Sequence, residues 1–351
     1  MKMRPPLGFL LRPVLAAALL FAAVIPARAQ TAEGFTAFKR QIRQEALAAG
    51  LNPAKVDAEL ASVAFDPSVI RLDNKQPEHT ITFAEYYQNI LKGDRVSTGV
   101  TMMQRYCRPL ELIEKRTGVP AEYIVALWGS ETNYGRVKGN KDVLQSVINL
   151  AYAGKPGRFI DRRKMFREAS LATLNLLASG RYARSSLRGS YAGAFGNHQF
   201  MAQTFLRAAI DGDGDGRADI INNPVDSFAS AANLLTQDGW QPGRAWGREV
   251  AYPTHIPADQ LGVEHKQPLS YWRAQGIRLK DGGELPLADE VEQQVSLVIP
   301  DQSVRRAFLF YANAHALWRW NNSSWFVIMS NTIATRLSAG AGADCKRSPS
   351  P

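Results

Sequence analysis

Long apolar runs are nearly absent from this 351-residue chain. The one candidate, Val14 to Ile25, is shorter than the roughly 20 residues a helix needs to cross a bilayer. It follows Lys2, Arg4 and Arg12 with no acid among them, and it precedes the small-x-small sequence Ala27-Arg28-Ala29. A basic start, a short apolar stretch and a small-residue site read as a secretory signal peptide over residues 1–29, cleaved after Ala29. The alternative is an uncleaved anchor helix. No cysteine follows Ala29, so nothing supports a lipid anchor there. The mature chain is expected to be periplasmic, without stable membrane insertion.

Cysteine is scarce as well: Cys107 and Cys345 are the only two. In an oxidising compartment they can pair, or they can remain free thiols. No spacing of Cys and His suggests a zinc or iron site. Blocks of like charge are missing too. The formal charge is +10, and loss of Lys2, Arg4, Arg12 and Arg28 with the signal leaves about +6. The remaining cations are scattered, so no nucleic-acid stripe is present; anionic partners outside the cytoplasm fit better. Internal repeats are absent, and biased composition is confined to a flexible tail over 339–351.

What is there is a globular composition, 45% hydrophobic and 21% charged. Helical patterning dominates residues 34–245. Phe35 to Ile42 opens an amphipathic helix, and Pro53 suits the first turn of the next. Residues 65–78 are turn-rich and expected to be extended. Thr82 begins a short helix, and a longer one is expected over Thr98–Thr117. Ala121–Thr132 follows, where Ile124, Leu127 and Trp128 recur on one face. Further helices are expected near Leu144–Leu150, Arg162–Ser179, Ala202–Ala209 and Asp226–Asp238. Prolines at 253, 257, 268 and 286 then interrupt the pattern, and residues 249–305 read as an insertion with a few strands. The fold class is mainly α (α+β).

Two elements stand out for chemistry. Glu131 ends an apolar helix in Trp128-Gly-Ser-Glu131-Thr-Asn-Tyr134-Gly135. Desolvation beside Trp128 and Tyr134 would raise its pKa and suit it to donate a proton near neutrality. The second is Gly189-Ser190-Tyr-Ala-Gly-Ala-Phe195-Gly-Asn-His198-Gln199-Phe-Met201. Its small residues permit close backbone approach to a ligand, and Ser190 and Gln199 can hydrogen-bond sugar groups. His198 is expected to face solvent.

Taken together and in this order, these elements resemble the lytic murein transglycosylases, most closely the B-type branch. The likeness continues through Asp211–Gly216, Asn223–Asp226, Asn233–Trp240, Ala307–Leu309 and Trp320–Ser324. It implies one catalytic domain over 30–338 with a lysozyme-like helical core. It also implies a single acid, Glu131, that protonates the oxygen between N-acetylmuramic acid and N-acetylglucosamine in peptidoglycan. The same group then takes the proton of the muramic C6 hydroxyl, which closes a 1,6-anhydro ring. No obvious second carboxylate is seen, in keeping with that scheme. The resemblance places Ser190 and Gln199 in the cleft. Asn321 and Trp320 stand in a late aromatic-Asn pair, with Trp where Tyr is commoner; Tyr134 lies beside the acid. Arg162 and Arg163 match, loosely, an arginine pair for a substrate carboxylate. Phe195 stands where the family usually has Met. The alternatives are a non-catalytic peptidoglycan-binding scaffold and a muramidase that uses water.

The segment Asp211-Gly-Asp213-Gly-Asp215-Gly-Arg217-Ala-Asp219 has the spacing of an EF-hand-like calcium loop. Its twelfth position is Asn222 rather than Glu, and Asp226 just beyond is a further candidate ligand. A structural Ca²⁺ is expected; no organic cofactor is implied.

Overall fold

The computed structural model describes residues 31–73, 81–154, 161–286, 293–302 and 304–341. The signal-peptide segment, Cys345 and residues 342–351 lie outside them. Cys107 is disulfide-bonded.

The N-terminal lobe is built of α1 (Ala32–Ala48), α2 (Pro53–Ala61), α3 (Pro67–Asp73) and α4 (Phe83–Leu91). Local chemistry sets their starts. Thr31 caps α1 through Gly34 N–H, and Asn52 caps α2 with Pro53 in the first turn. Thr82 and Glu85 form a reciprocal capping box on α4. The extended reading of 65–78 is corrected in part: Pro67 opens α3, which buries Val69 against α8 and α9.

The expected helix over 98–117 is two: α5 (Arg95–Arg105) and α6 (Cys107–Thr117). Pro109 supplies the reason. Its ring clashes with the carbonyl four residues back, and it cannot donate to it, so the helix breaks at Arg105–Tyr106. α6 ends at Gly118 in the left-handed conformation, φ 68°. Next comes α7 (Ala121–Thr132), which is buried on more than the expected face: Ile124 through Gly129 are all shut off from solvent. A helix apolar all round belongs in a core; α5, α6, α11 and α14 enclose it.

The remaining helical elements are α8 (Val143–Ala153), α9 (Arg162–Ala178), α10 (Ala202–Ala208), α11 (Pro224–Gln237), α12 (Leu269–Ala274), α13 (Ala312–Trp320) and α14 (Ser324–Ala341). α14 therefore continues into the segment expected as a flexible tail. Two short strands, β1 (Lys141–Asp142) and β2 (Arg188–Gly189), pair antiparallel. A four-stranded antiparallel sheet holds β3 (Gly247–Val250), β4 (Lys266–Pro268), β5 (Gln294–Val298) and β6 (Ala307–Phe310) in the order β3-β6-β5-β4. β4 and β5 lie within residues 249–305, and β6 follows them and pairs with β3 and β5 in the sheet interior. One sheet face covers α12 and Trp272; the other feeds the core around α7, α13 and α14.

The central aromatic cluster fixes α7. Phe228 is fully buried, with its ring 5.0 Å from that of Trp128 and 5.2 Å from that of Tyr106. Replacing Phe228→Ala should cost about 3–5 kcal/mol of unfolding free energy. Urea titration followed by circular dichroism measures it; a loss under about 1 kcal/mol would show that α7 is anchored elsewhere.

Candidate active site

Glu131 sits on the last turn of α7, where the chain leaves the core. Asn133 caps the helix in the left-handed region, φ 49°, and Tyr134 follows at φ 60°. Gln199, at φ 50°, is the third non-glycine residue of this kind among the described residues. Such conformations cost of order 1–3 kcal/mol each and persist where surrounding contacts over-determine them. Here the contacts are visible. Trp128 Nε1 donates to Asn197 Oδ1 (3.1 Å), and Thr132 Oγ1 donates to the Asn197 carbonyl (2.7 Å). Asn197 Nδ2 donates onward to the carbonyls of Ile220 (3.0 Å) and Ile221 (3.2 Å). One buried asparagine therefore ties the end of α7 to the 189–201 loop and to the segment before α11.

The glycines of that loop serve the protein's own packing. A Cβ on Gly189 would lie 2.1 Å from the Ala194 carbonyl oxygen, and one on Gly193 would lie 2.3 Å from Val147 Cγ1. Their smallness closes the loop on itself and on α8, which corrects the reading that it serves ligand approach. His198 is also corrected: it is fully buried rather than solvent-facing. Its Nε2 donates to the Ile124 carbonyl (3.0 Å), and its Nδ1 accepts from Ser227 Oγ (2.7 Å). Burial pushes its pKa down to about 4, so the ring is neutral at pH 7.

The Glu131 carboxyl is enclosed, though the residue keeps a half-buried edge at the surface. Desolvation pushes its pKa up to about 7, opposed by a hydrogen bond from Trp320 Nε1 to Oε1 at 2.9 Å. No second charged group contributes to that shift. Trp320 comes from the last turn of α13 and is braced edge-on by Phe200 (ring centroids 5.5 Å) and His198 (6.1 Å). Its contact with Glu131 is a donated hydrogen bond that the sequence reading did not foresee. Asn197 and Thr132 were missed altogether, because a buried asparagine and a helix-end threonine carry no signal until their partners are known.

The other expected residues separate into groups. Ser190 is half-buried, and its Oγ accepts from Ala194 N–H (3.2 Å). Gln199 Nε2 donates to the carbonyls of Lys138 (3.1 Å) and Gly196 (3.0 Å). Asn321 is half-buried at the C-cap of α13, next to Trp320. Tyr134 belongs to the core: its ring packs edge-on against Trp128, and its hydroxyl donates to the Arg95 carbonyl (2.6 Å). Arg162 pairs with the buried Asp73, and Arg163 Nε donates to the Gly154 carbonyl (3.1 Å). These bonds link α9 to α3 and to the end of α8; none reaches Glu131 or Trp320.

In the acidic loop, Asp211, Asp213 and Asp226 bring carboxylate oxygens within 4.8 Å of one another. Asp226 is fully buried and accepts the N–H groups of Gly212 (2.8 Å) and Asp219 (2.7 Å). Burial, reinforced by the charges of Asp213 and Asp211, raises its pKa. Three converging carboxylates, one of them buried, fit a hard divalent cation that would neutralise them. Asp219 instead turns both oxygens to Ile221 and Asn222. Asp215 Oδ1 accepts from Arg217 N–H (2.8 Å), and neither residue belongs to the triad.

A sequence model of the transglycosylase SLT domain matches residues 34–335. The chain is 29% identical over 274 residues, 74% of its length and 71% of the other, to membrane-bound lytic murein transglycosylase B of Escherichia coli K12. It is 35% identical to SltB3 from Pseudomonas aeruginosa, solved in complex with NAG-NAM-pentapeptide, at a TM-score of 0.76 covering 88% and 80% of the two chains. Escherichia coli Slt35, solved in complex with calcium, shares the fold at a TM-score of 0.72 and 24% identity, covering 88% of this chain and 93% of that one. The expected fold class, a helical lysozyme-like core with small antiparallel sheets, is what these structures share.

A protonated Glu131 predicts a falling alkaline limb in the pH–rate profile near pH 7. Trp320→Phe removes the donor that favours the carboxylate, so the limb should move to higher pH. Turbidity loss of a cell-wall suspension across pH 5–9 measures both; an unmoved limb in Trp320→Phe would disconnect the indole from the acid.

Proposed function

This chain belongs to the transglycosylase SLT family, among the B-type lytic murein transglycosylases, and we propose that Glu131 is its single catalytic acid and base. The observation that carries the reading is a lone enclosed carboxyl whose pKa of about 7 leaves it substantially protonated at neutral pH. Such a group can protonate a glycosidic oxygen without a partner acid. The bond cut is the β-1,4 link from N-acetylmuramic acid to N-acetylglucosamine. As it breaks, Glu131 becomes a carboxylate and removes the proton of the muramic C6 hydroxyl. That oxygen attacks C1 and leaves a 1,6-anhydro end; no water enters. A hydrolase of the two-carboxylate type would need a second acid within about 5–10 Å; the raised pKa of Glu131 comes from burial, with the Trp320 hydrogen bond opposing it.

Ser190, Gln199 and Asn321 are proposed to line the same cleft, with peptidoglycan strands as the substrate. Relatives in this family support it: SltB3 was solved with a glycan-pentapeptide fragment. The work is proposed to take place in the periplasm after loss of residues 1–29. Among the described residues no helix is long and apolar enough to cross a membrane.

The acidic loop is proposed to hold one Ca²⁺ through Asp211, Asp213 and Asp226. Bound there, the ion supplies charge neutralisation and a fixed loop before α11.

Purified sacculi digested by the wild type should release anhydro muropeptides about 18 Da lighter than hydrolytic products, the mass of the water a two-acid hydrolase consumes. Glu131→Gln should lower release by about 10²–10⁴-fold, the usual worth of general acid–base catalysis. Mass spectrometry of the products decides: reducing ends would establish a hydrolase, and bound but uncut sacculi a scaffold. Calcium at a hundredfold its Kd should stabilise the protein by about 2.7 kcal/mol. Scanning calorimetry should show that gain in the wild type and none in Asp226→Asn; equal gains would move the ion elsewhere.

A further inference from the structure

A cavity of about 520 Å³ opens between the sheet and the helical body, and neither Glu131 nor Trp320 lines it. The volume is that of a small-molecule site. Its wall contains Arg244, Lys266 and Arg319, with His315 and Gln293, and no carboxylate. Arg244 and Lys266 are exposed and form no ion pair with any described residue. Arg319 donates one guanidinium N–H to the Asp238 carbonyl (2.6 Å). The Asp238 carboxylate does not neutralise it, being held by Arg207 at 2.9 Å. The field of these cations is felt inside. His315 has its pKa pushed down to about 4, first by burial and then by Lys266 and Arg319.

Gln293 adds a second, independent feature. Its side-chain oxygen and nitrogen are both shut off from solvent, and neither has a hydrogen-bond partner. An unmade bond at a buried amide costs about 1–3 kcal/mol for each group. A ligand that satisfies both must offer a donor and an acceptor side by side, as the N–H and C=O of one extended peptide residue do.

We propose that this cavity binds a short acidic peptide, its carboxylates on Arg244, Lys266 and Arg319 and the N–H and C=O of one of its residues on Gln293. The site is separate from the Glu131 cleft and independent of glycan cleavage. Both rest on α13, one through Arg319 and the other through Trp320. In a protein that acts on a peptide-substituted polymer, such a site reads the peptide while the cleft handles the glycan.

The test is calorimetric titration of the full chain with N-acetyl-Ala-Glu, which carries two carboxylates and two amides. Its uncharged diamide and inorganic phosphate serve as the other two probes. Saturable binding of the dicarboxylate is expected, with none for the diamide. Arg244→Glu and Lys266→Glu lie on exposed side chains, and each should weaken binding about tenfold or more, equivalent to about 1.4 kcal/mol. Gln293→Leu should weaken peptide binding about tenfold. Glu131→Gln should bind as the wild type does. Absence of saturable binding, or binding that survives both charge reversals, overturns the site. Phosphate binding as tightly as the peptide overturns the peptide assignment. Loss of binding in Glu131→Gln overturns the separation of the two sites, whatever sacculus digestion shows.

Discussion

The end of α7 has to leave a dry core while carrying a carboxyl group, and the rest of the molecule answers to that constraint. A helix shielded on every side cannot fray, so Glu131 is delivered at a fixed position. The same burial removes water from the carboxyl and raises its pKa. Asn197 makes the exit possible. It accepts from the Trp128 indole and from Thr132 in one direction and donates to the 220–221 carbonyls in the other. The two left-handed residues after Glu131 are held in place by that latch.

The 189–201 loop is then a structural counterpart to α7 as much as a binding surface. Its glycines admit backbone and Val147, and His198 reaches back to the Ile124 carbonyl in the middle of α7. A neutral imidazole does this at no charge cost, since both ring nitrogens have partners of the right kind. Gln199 accepts a left-handed backbone so that its amide can hold the carbonyls of Lys138 and Gly196.

α13 serves two ends. Its Trp320 closes over Glu131 and supplies the one hydrogen bond that tempers the raised pKa. Its preceding turn faces the sheet, where uncompensated cations line a cavity. The acidic loop lies at the start of α11, the helix that carries Phe228 and Ser227 into the core. Fixing that loop therefore bears on the same aromatic cluster that seats α7.

Much of this was legible in sequence, because it depends on local chemistry. Caps at Asn52 and Thr82, the apolar stretch of α7, the acidic spacing after Asp211 and the paired motifs around Glu131 and Gln199 are all written in neighbouring residues. The break at Tyr106 was legible in principle through Pro109. Other features depend on partners remote in the chain. Trp320 meets Glu131 across 189 residues. Tyr134 turned into the core and Arg162 turned to Asp73, though the family resemblance suggested both near a substrate. Asp226 displaced Asp219 as a converging carboxylate because α11 folds back over the loop. The sequence by itself determined which residue types are present and how each helix starts and stops, since those energies act over a few residues. Tertiary structure alone decided which polar groups are buried together, since desolvation belongs to the packed assembly and not to any segment.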